Sequence, residues 1–279
     1  MIQWFILALA VWVVAFMVNL WLVQRNDFLS RLAMPITLGV ALIVLWEGIV
    51  LGFGVSPIVL PAPSSIWARF WAETPTLWAD FVQTFVGGAL SGYIMGCGAG
   101  FVVAVLVDRS PFLRAGLLPV GNFIAALPII GIAPIFVMWF GFGWESKAAV
   151  VVAMVFFPML INTVAGLQSA DAMQRDLMRT YAASYPQTLL KLRLPSAAPF
   201  IFNGLKICTT LALIGAIVAE FFGSPIVGMG FRISTGAGRL ELDMVWATIV
   251  VAALAGSAFY GVVALFEKRV TFWHPSQRR

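Results

Sequence analysis

The chain has 279 residues, 61% of them hydrophobic and only 10% charged, with a net charge of +5 and a mean hydropathy of +0.97. Soluble domains carry about 25% charged residues, so this composition excludes a water-soluble globular fold and predicts an all-α, polytopic transmembrane helical bundle. The positive charge does not require nucleic acid, because basic residues gathered in cytoplasmic loops account for it.

A helix needs about 20 apolar residues to cross some 30 Å of hydrocarbon. Hydropathy predicts seven such spans, at 3–23, 34–54, 82–107, 115–140, 148–166, 198–222 and 244–266. No Lys or Arg precedes the first apolar stretch, and "VQRNDFLSR" follows it at 23–31. A secretory signal needs a basic front end and a small-residue cleavage site, so a retained helix is expected. The second span contains Glu47 in "VLWEGIVL". An ionisable group at the bilayer centre costs roughly 2.5–3.5 kcal/mol. Glu47 is therefore either paired with an interfacial amide or placed beside a solute pathway.

Between the second and third spans, "LPAPSSIWARFWAETPTLW" (60–78) spaces Ile66, Trp67, Phe70 and Trp71 as one aromatic face. That pattern predicts a short amphipathic helix at headgroup level, or a ledge for an external partner. In the third span, Gly88, Gly92, Gly96 and Gly100 recur every fourth residue, which predicts a smooth strip for close helix contact. The fourth span holds Pro119, Pro128, Pro134 and Asn122. Each proline removes a backbone donor, so this segment is either a kinked core helix or a hinge lining a wet cavity. Asn162 in the fifth span and Asn203 and Glu220 in the sixth are further polar groups at membrane depth. Cys97 and Cys208 lie within spans with neither metal-ligand nor disulfide spacing.

The stretch "RTYAASYPQTLLKLRLP" (179–195) interrupts the apolar runs with two arginines, a lysine and two prolines. Before it, "DAMQRDLMRTYA" carries Met173, Leu177 and Tyr181 at helical spacing. Ser184-Tyr185-Pro186-Gln187 then has the form of a capping box. A helix–turn–helix hairpin over 171–195 is predicted, suited to a groove on another protein or to lying on lipid with its basic groups snorkelled. Placing the loop of Arg25 and Arg31 inside puts Arg109, Arg114, Arg175, Arg179, Lys191, Arg193, Lys268 and Arg269 inside too. Only Arg69, Lys147, Arg232 and Arg239 are left outside, which predicts an outside N-terminus and a cytoplasmic C-terminus.

Catalytic signatures are missing from the sequence. It has one histidine, His274, no HExxH, no GxSxG, and none of its four lysines follows a glycine as a phosphate-binding loop requires. Neither catalysis nor a cofactor is expected in this chain.

The hairpin resembles the cytoplasmic coupling loop of ABC importer permeases, in which EAA, three residues, Gly, nine residues and then Ile-x-Leu-Pro recur. Here Asp176, Leu177 and Met178 take the EAA place and Ala182 the glycine place. Ala183 and Ser184 follow the turn, and Leu192, Leu194 and Pro195 close the pattern. Asp replaces Glu, and Ala182 stands where glycine is usual. "LPIIGIAPIFVMWFGFGWESK", "FFPMLINTVAGLQSAD", "LRLPSAAPFIFNGLKI" and "IGAIVAEFFGS" are similar to the nitrate/taurine/sulfonate class, with pyrimidine-precursor and riboflavin permeases close by.

That resemblance runs from about residue 34 to the end. It implies a type I importer permease fold of six core helices, with residues 1–30 an extra N-terminal helix and linker and 31–279 the permease domain. It also implies a bacterial inner membrane, a second copy of the chain, cytoplasmic ATPase subunits holding ATP and Mg, and an extracytoplasmic solute-binding protein. The candidate pathway residues are Glu47, Asn122, Asn162, Asn203 and Glu220. A membrane scaffold or receptor that docks a cytoplasmic partner without a solute pathway remains the alternative.

Overall fold

The computed structural model describes residues 2–25, 27–125, 128–223 and 226–273, and it is helical throughout, with no strand among the described residues. Among the described residues, six helices are long and apolar enough to cross a membrane: Gln3–Val23, Phe28–Phe53, Thr74–Arg109, Trp144–Gln168, Tyr185–Phe222 and Leu242–Val270. The fourth expected span, 115–140, is corrected. It consists of two shorter helices, α6 (Pro111–Ala125) and α7 (Ile129–Phe140), with extended Pro128 capping the second. Pro128 is extended (φ −70°, ψ 106°) where the second helix starts, whereas Pro35, Pro158 and Pro199 stay inside their helices.

The chain forms two compact units, Met1–Leu77 with Arg232–Val250 and Trp78–Phe231 with Val251–Arg279. In the first unit, α1 (Ile2–Val23) and α2 (Phe28–Phe53) form a hairpin. The Thr37 hydroxyl donates to Asn19 Oδ1 at 2.7 Å. Gly48 lies so close to Ala8 that a β-carbon there would collide. Gly54, at φ +64°, ends α2 in the left-handed conformation that favours glycine. The predicted amphipathic helix follows as α3 (Pro63–Ala72), its Trp67 and Trp71 exposed and in edge contact at 5.6 Å.

The second unit is built on α5 (Ser91–Arg109), α8 (Trp144–Gln168) and α11 (Leu194–Phe222). The glycine strip does what its spacing predicts. A β-carbon on Gly92 would lie 2.5 Å from Val151 Cβ, one on Gly96 would collide with Val155, and one on Gly100 would lie 2.6 Å from the Phe156 carbonyl oxygen. The partners advance together along both helices, so α5 and α8 run parallel. On the other side of α8, Gly166 meets Ala197, Gly204 meets Asn162 and Gly215 meets Val151, which makes α8 and α11 antiparallel. Val151, Val155, Met159, Cys208, Ala212 and Ala216 fill the seam as a buried core.

Candidate functional site

The hairpin expected over 171–195 is present. Its first arm is α9 (Ala172–Thr180), begun by extended Asp171. Met173, Leu177 and Tyr181 are 78%, 54% and 76% exposed along it, although together they make one apolar stripe. The turn is closed by the Ala183 N–H donating to the Met178 carbonyl at 3.0 Å, with Ala182 at φ +51°. The position where the resemblance expects glycine is therefore the one that adopts a left-handed conformation. The Ser184 N–H donates to Gln187 Oε1 at 2.8 Å, the bond that a capping box supplies.

The second arm starts as α10 (Tyr185–Thr188), widens to π-helix over Leu189–Arg193 and runs on into α11. The Leu194 N–H reaches back to the Leu189 carbonyl. Pro195 brings no N–H to the next rung, and the Ser196 hydroxyl donates to the Leu192 carbonyl at 2.8 Å. Asp176, Leu177, Ala182 and Ser184 lie on the exposed part of the hairpin. Met178, Ala183, Leu192, Leu194 and Pro195 are half-buried.

At the root of the hairpin, Arg193 forms a forked ion pair with Asp108, the last-but-one residue of α5, through two bonds of 2.6 Å each. Its Nε donates to the Leu167 carbonyl near the end of α8 at 3.0 Å, and the Tyr185 hydroxyl reaches Asp108 Oδ2 at 3.3 Å. Fork-shaped Arg–carboxylate pairs fix orientation as well as distance. The Asp176–Arg179 pair further out on the hairpin is 68% and 83% exposed, and such surface pairs contribute little.

Glu220, at the opposite end of α8 and α11, is wholly buried. Lys147 Nζ lies 3.0 Å away with its own side chain 0% exposed. The Thr84 hydroxyl donates to the same carboxylate at 2.8–3.0 Å, and the Gly230 N–H donates at 2.8 Å. Thr84 in turn accepts the Met229 N–H at 2.7 Å, and Asp80 accepts that of Gly228 at 2.8 Å. The backbone turn at 228–230 is thus held by carboxylate and hydroxyl groups from other elements. Lys147, expected in an outer loop, is inside α8. It therefore does not belong among the outer loop charges, since its ammonium lies against Glu220.

The other polar candidates separate. Glu47 accepts the Ser64 N–H at 2.9 Å and the Ser64 hydroxyl at 2.6 Å, so it caps the first turn of α3, where the helix dipole favours an anion. Asn162 and Asn203 meet across α8 and α11, with Asn203 Nδ2 donating to Asn162 Oδ1 at 3.1 Å. Asn122 is in α6, but its side chain, like His274, lies outside the described residues. Sequence reasoning overlooked Lys206 and Glu267, which pair at 2.6 Å. A lysine midway along a predominantly apolar 29-residue helix was the available signal. Asn203, Lys206, Thr210 and Tyr260 contribute the polar lining of a cleft of about 390 Å³.

Comparison with known proteins gives this arrangement its context. Residues 92–272 match the family described as binding-protein-dependent transport system inner membrane component. The riboflavin transport system permease protein RibX of Chloroflexus aurantiacus is 29% identical, covering 91% of this chain and 94% of its own. The putative aliphatic sulfonates transport permease protein SsuC of Bacillus subtilis is also 29% identical, covering 91% and 90%. Among solved structures, a chain of the MetNI methionine ABC transporter in an inward-facing conformation superposes with a TM-score of 0.55 at 16% identity. It covers 73% of this chain and 98% of that one, which shows the importer permease fold. The chain belongs to the binding-protein-dependent transport inner-membrane family, and it is a permease subunit of an ABC importer.

Proposed function

We propose that two copies of this chain form a solute pathway in the bacterial inner membrane, driven by cytoplasmic ATPase subunits that hold ATP and Mg and supplied by an extracytoplasmic binding protein. The N-terminus faces outside and the C-terminus the cytoplasm, as the distribution of Lys and Arg favours. Residues 1–30 are an added helix and linker, and 31–279 form the permease domain. The observation that carries this reading is the bare apolar stripe Met173, Leu177 and Tyr181, exposed on a hairpin with a firmly built turn. Such a stripe beside fixed charges suits a groove on a second protein. Seated in the ATPase, the hairpin would move as the ATPase pair closes and bias the membrane helices between outward- and inward-facing states.

The pathway is lined by the polar face of α11. Asn203 bonded to Asn162, Lys206 paired with Glu267, and Thr210 favour this placement, since polar groups in membrane helices face a wet cavity or a bundle interior. Glu47 caps α3, and Glu220 holds the turn at 228–230. The solute is a small organic or anionic molecule, such as a sulfonate or taurine, nitrate, a pyrimidine precursor or a riboflavin-like ring.

The test is Ala182→Glu in the complex with its ATPase. The charge at the turn is expected to abolish stimulated ATP hydrolysis while leaving membrane insertion intact, and normal uptake in this variant would refute the reading. Binding of sulfonates, nitrate, pyrimidines and flavins by the partner binding protein identifies the solute.

A further inference from the structure

The hairpin is joined covalently to α8 through Ser169 and to α11 through Pro195, but no peptide bond ties it to α5. Arg193 supplies that connection. Its guanidinium uses both terminal nitrogens on Asp108 of α5 and its Nε on Leu167 of α8, while its own backbone leads into α11. Three helices therefore meet at one side chain, with Asp108 3% and Arg193 14% exposed. The Tyr185 hydroxyl adds a second tie from the hairpin to the same carboxylate, and the Arg109 guanidinium lies over the Tyr185 ring, 5.5 Å from its centroid.

We infer that the Asp108–Arg193 pair is a positioning strut that makes α5 follow the hairpin when the ATPase subunits displace it. The inference rests on the coupling reading above. The pair is buried enough to escape the screening that empties surface ion pairs of effect. A planar fork on a carboxylate resists rotation as well as separation, whereas a lysine ammonium would hold distance alone. Beyond this node, the glycine strip keeps α5 in van der Waals register with α8, so force entering at Asp108 reaches the length of both helices.

Pulsed EPR on the assembled complex tests this, with spin labels at exposed Gln174→Cys on the hairpin, beside the apolar stripe, and Leu106→Cys on α5, and buried Cys97 and Cys208 left in place. ATP, Mg²⁺ and vanadate are the probe. With the strut intact, the distance within one chain keeps its mean and width on trapping. In Asp108→Asn and Arg193→Gln it shifts or broadens, Arg193→Lys is intermediate, and the exchange Asp108→Arg with Arg193→Asp restores a fixed distance.

A wild-type distance that changes on trapping overturns the strut, as does one that stays fixed in both Asp108→Asn and Arg193→Gln. The coupling reading has its own control in the Gln174-to-Gln174 distance between copies. If trapping leaves that distance unchanged, the hairpin does not couple at all. If it changes while the variants behave as wild type, only the strut is lost.

Discussion

The Lys147 ammonium lies 3.0 Å from the Glu220 carboxylate with both side chains fully buried, so neither charge can turn to water if the other is removed. Glu220→Gln keeps the shape but strands Lys147, and breaking a buried pair from one side costs about 3–5 kcal/mol. A large fall in the thermal unfolding midpoint of the purified protein is expected. Lys147→Met combined with Glu220→Gln should recover much of it, and the double-mutant cycle measures the coupling. A loss in the double variant equal to the sum of the losses in Lys147→Met and Glu220→Gln alone would show that the charges do not depend on each other.

Gly228 is held at φ +143° with its α-carbon against Glu220, and an added β-carbon would lie 2.6 Å from that carboxyl group. Gly228→Ala meets both a backbone conformation closed to L-residues and an occupied space, with an expected loss of about 1–3 kcal/mol. Gly238→Ala, with nothing within 4 Å, is the control and should leave the unfolding midpoint near that of the wild type.

The α5–α8 seam predicts a contrast between two neighbouring glycines. Gly92→Ala places a methyl group 2.5 Å from Val151, whereas Gly98→Ala enters open space. Overpacking a close seam costs about 1–3 kcal/mol, so the first should lower thermal stability and the amount of protein recovered from membranes. The second should do neither.

At the hairpin turn, Ala182→Gly removes a side chain from a left-handed position, a conformation that costs an L-residue about 1–2 kcal/mol. Hydrogen exchange across 178–188 should slow or stay unchanged in Ala182→Gly and quicken in Ala182→Val, which adds a β-branched side chain at the same φ.

The elements legible in the sequence were those whose cause is local. Spacing of four exposed the glycine strip, Ser184 and Gln187 announced the second arm of the hairpin, and the long apolar runs marked the spans. The prolines of the fourth span were visible too, but whether Pro128 kinks a helix or divides it depends on tertiary surroundings. Glu220 stood out as an anion at membrane depth, yet Lys147 looked like a loop cation because its partner is far along the chain. Arg193 read as one more basic group on the cytoplasmic side, and its partner Asp108, 85 positions away, carried no signal of its own. Pairing across such intervals follows from helix packing, and no single-sequence pattern encodes it.

The α5, α8 and α11 trio is pinned at one end by Asp108 and Arg193, and at the other Lys147 and Glu220 join α8 to α11 while Thr84, in the helical segment leading into α5, bonds the same carboxylate, with a smooth glycine surface between. From Lys147 to Leu167 this beam is about 30 Å long at 1.5 Å per residue, close to the depth of the hydrocarbon. Rods bolted at both ends cannot slip past one another by a turn without unfastening a buried charge. The soft motion that remains is tilting of the trio as a block, so opening to one side of the membrane or the other must be arranged around its edges.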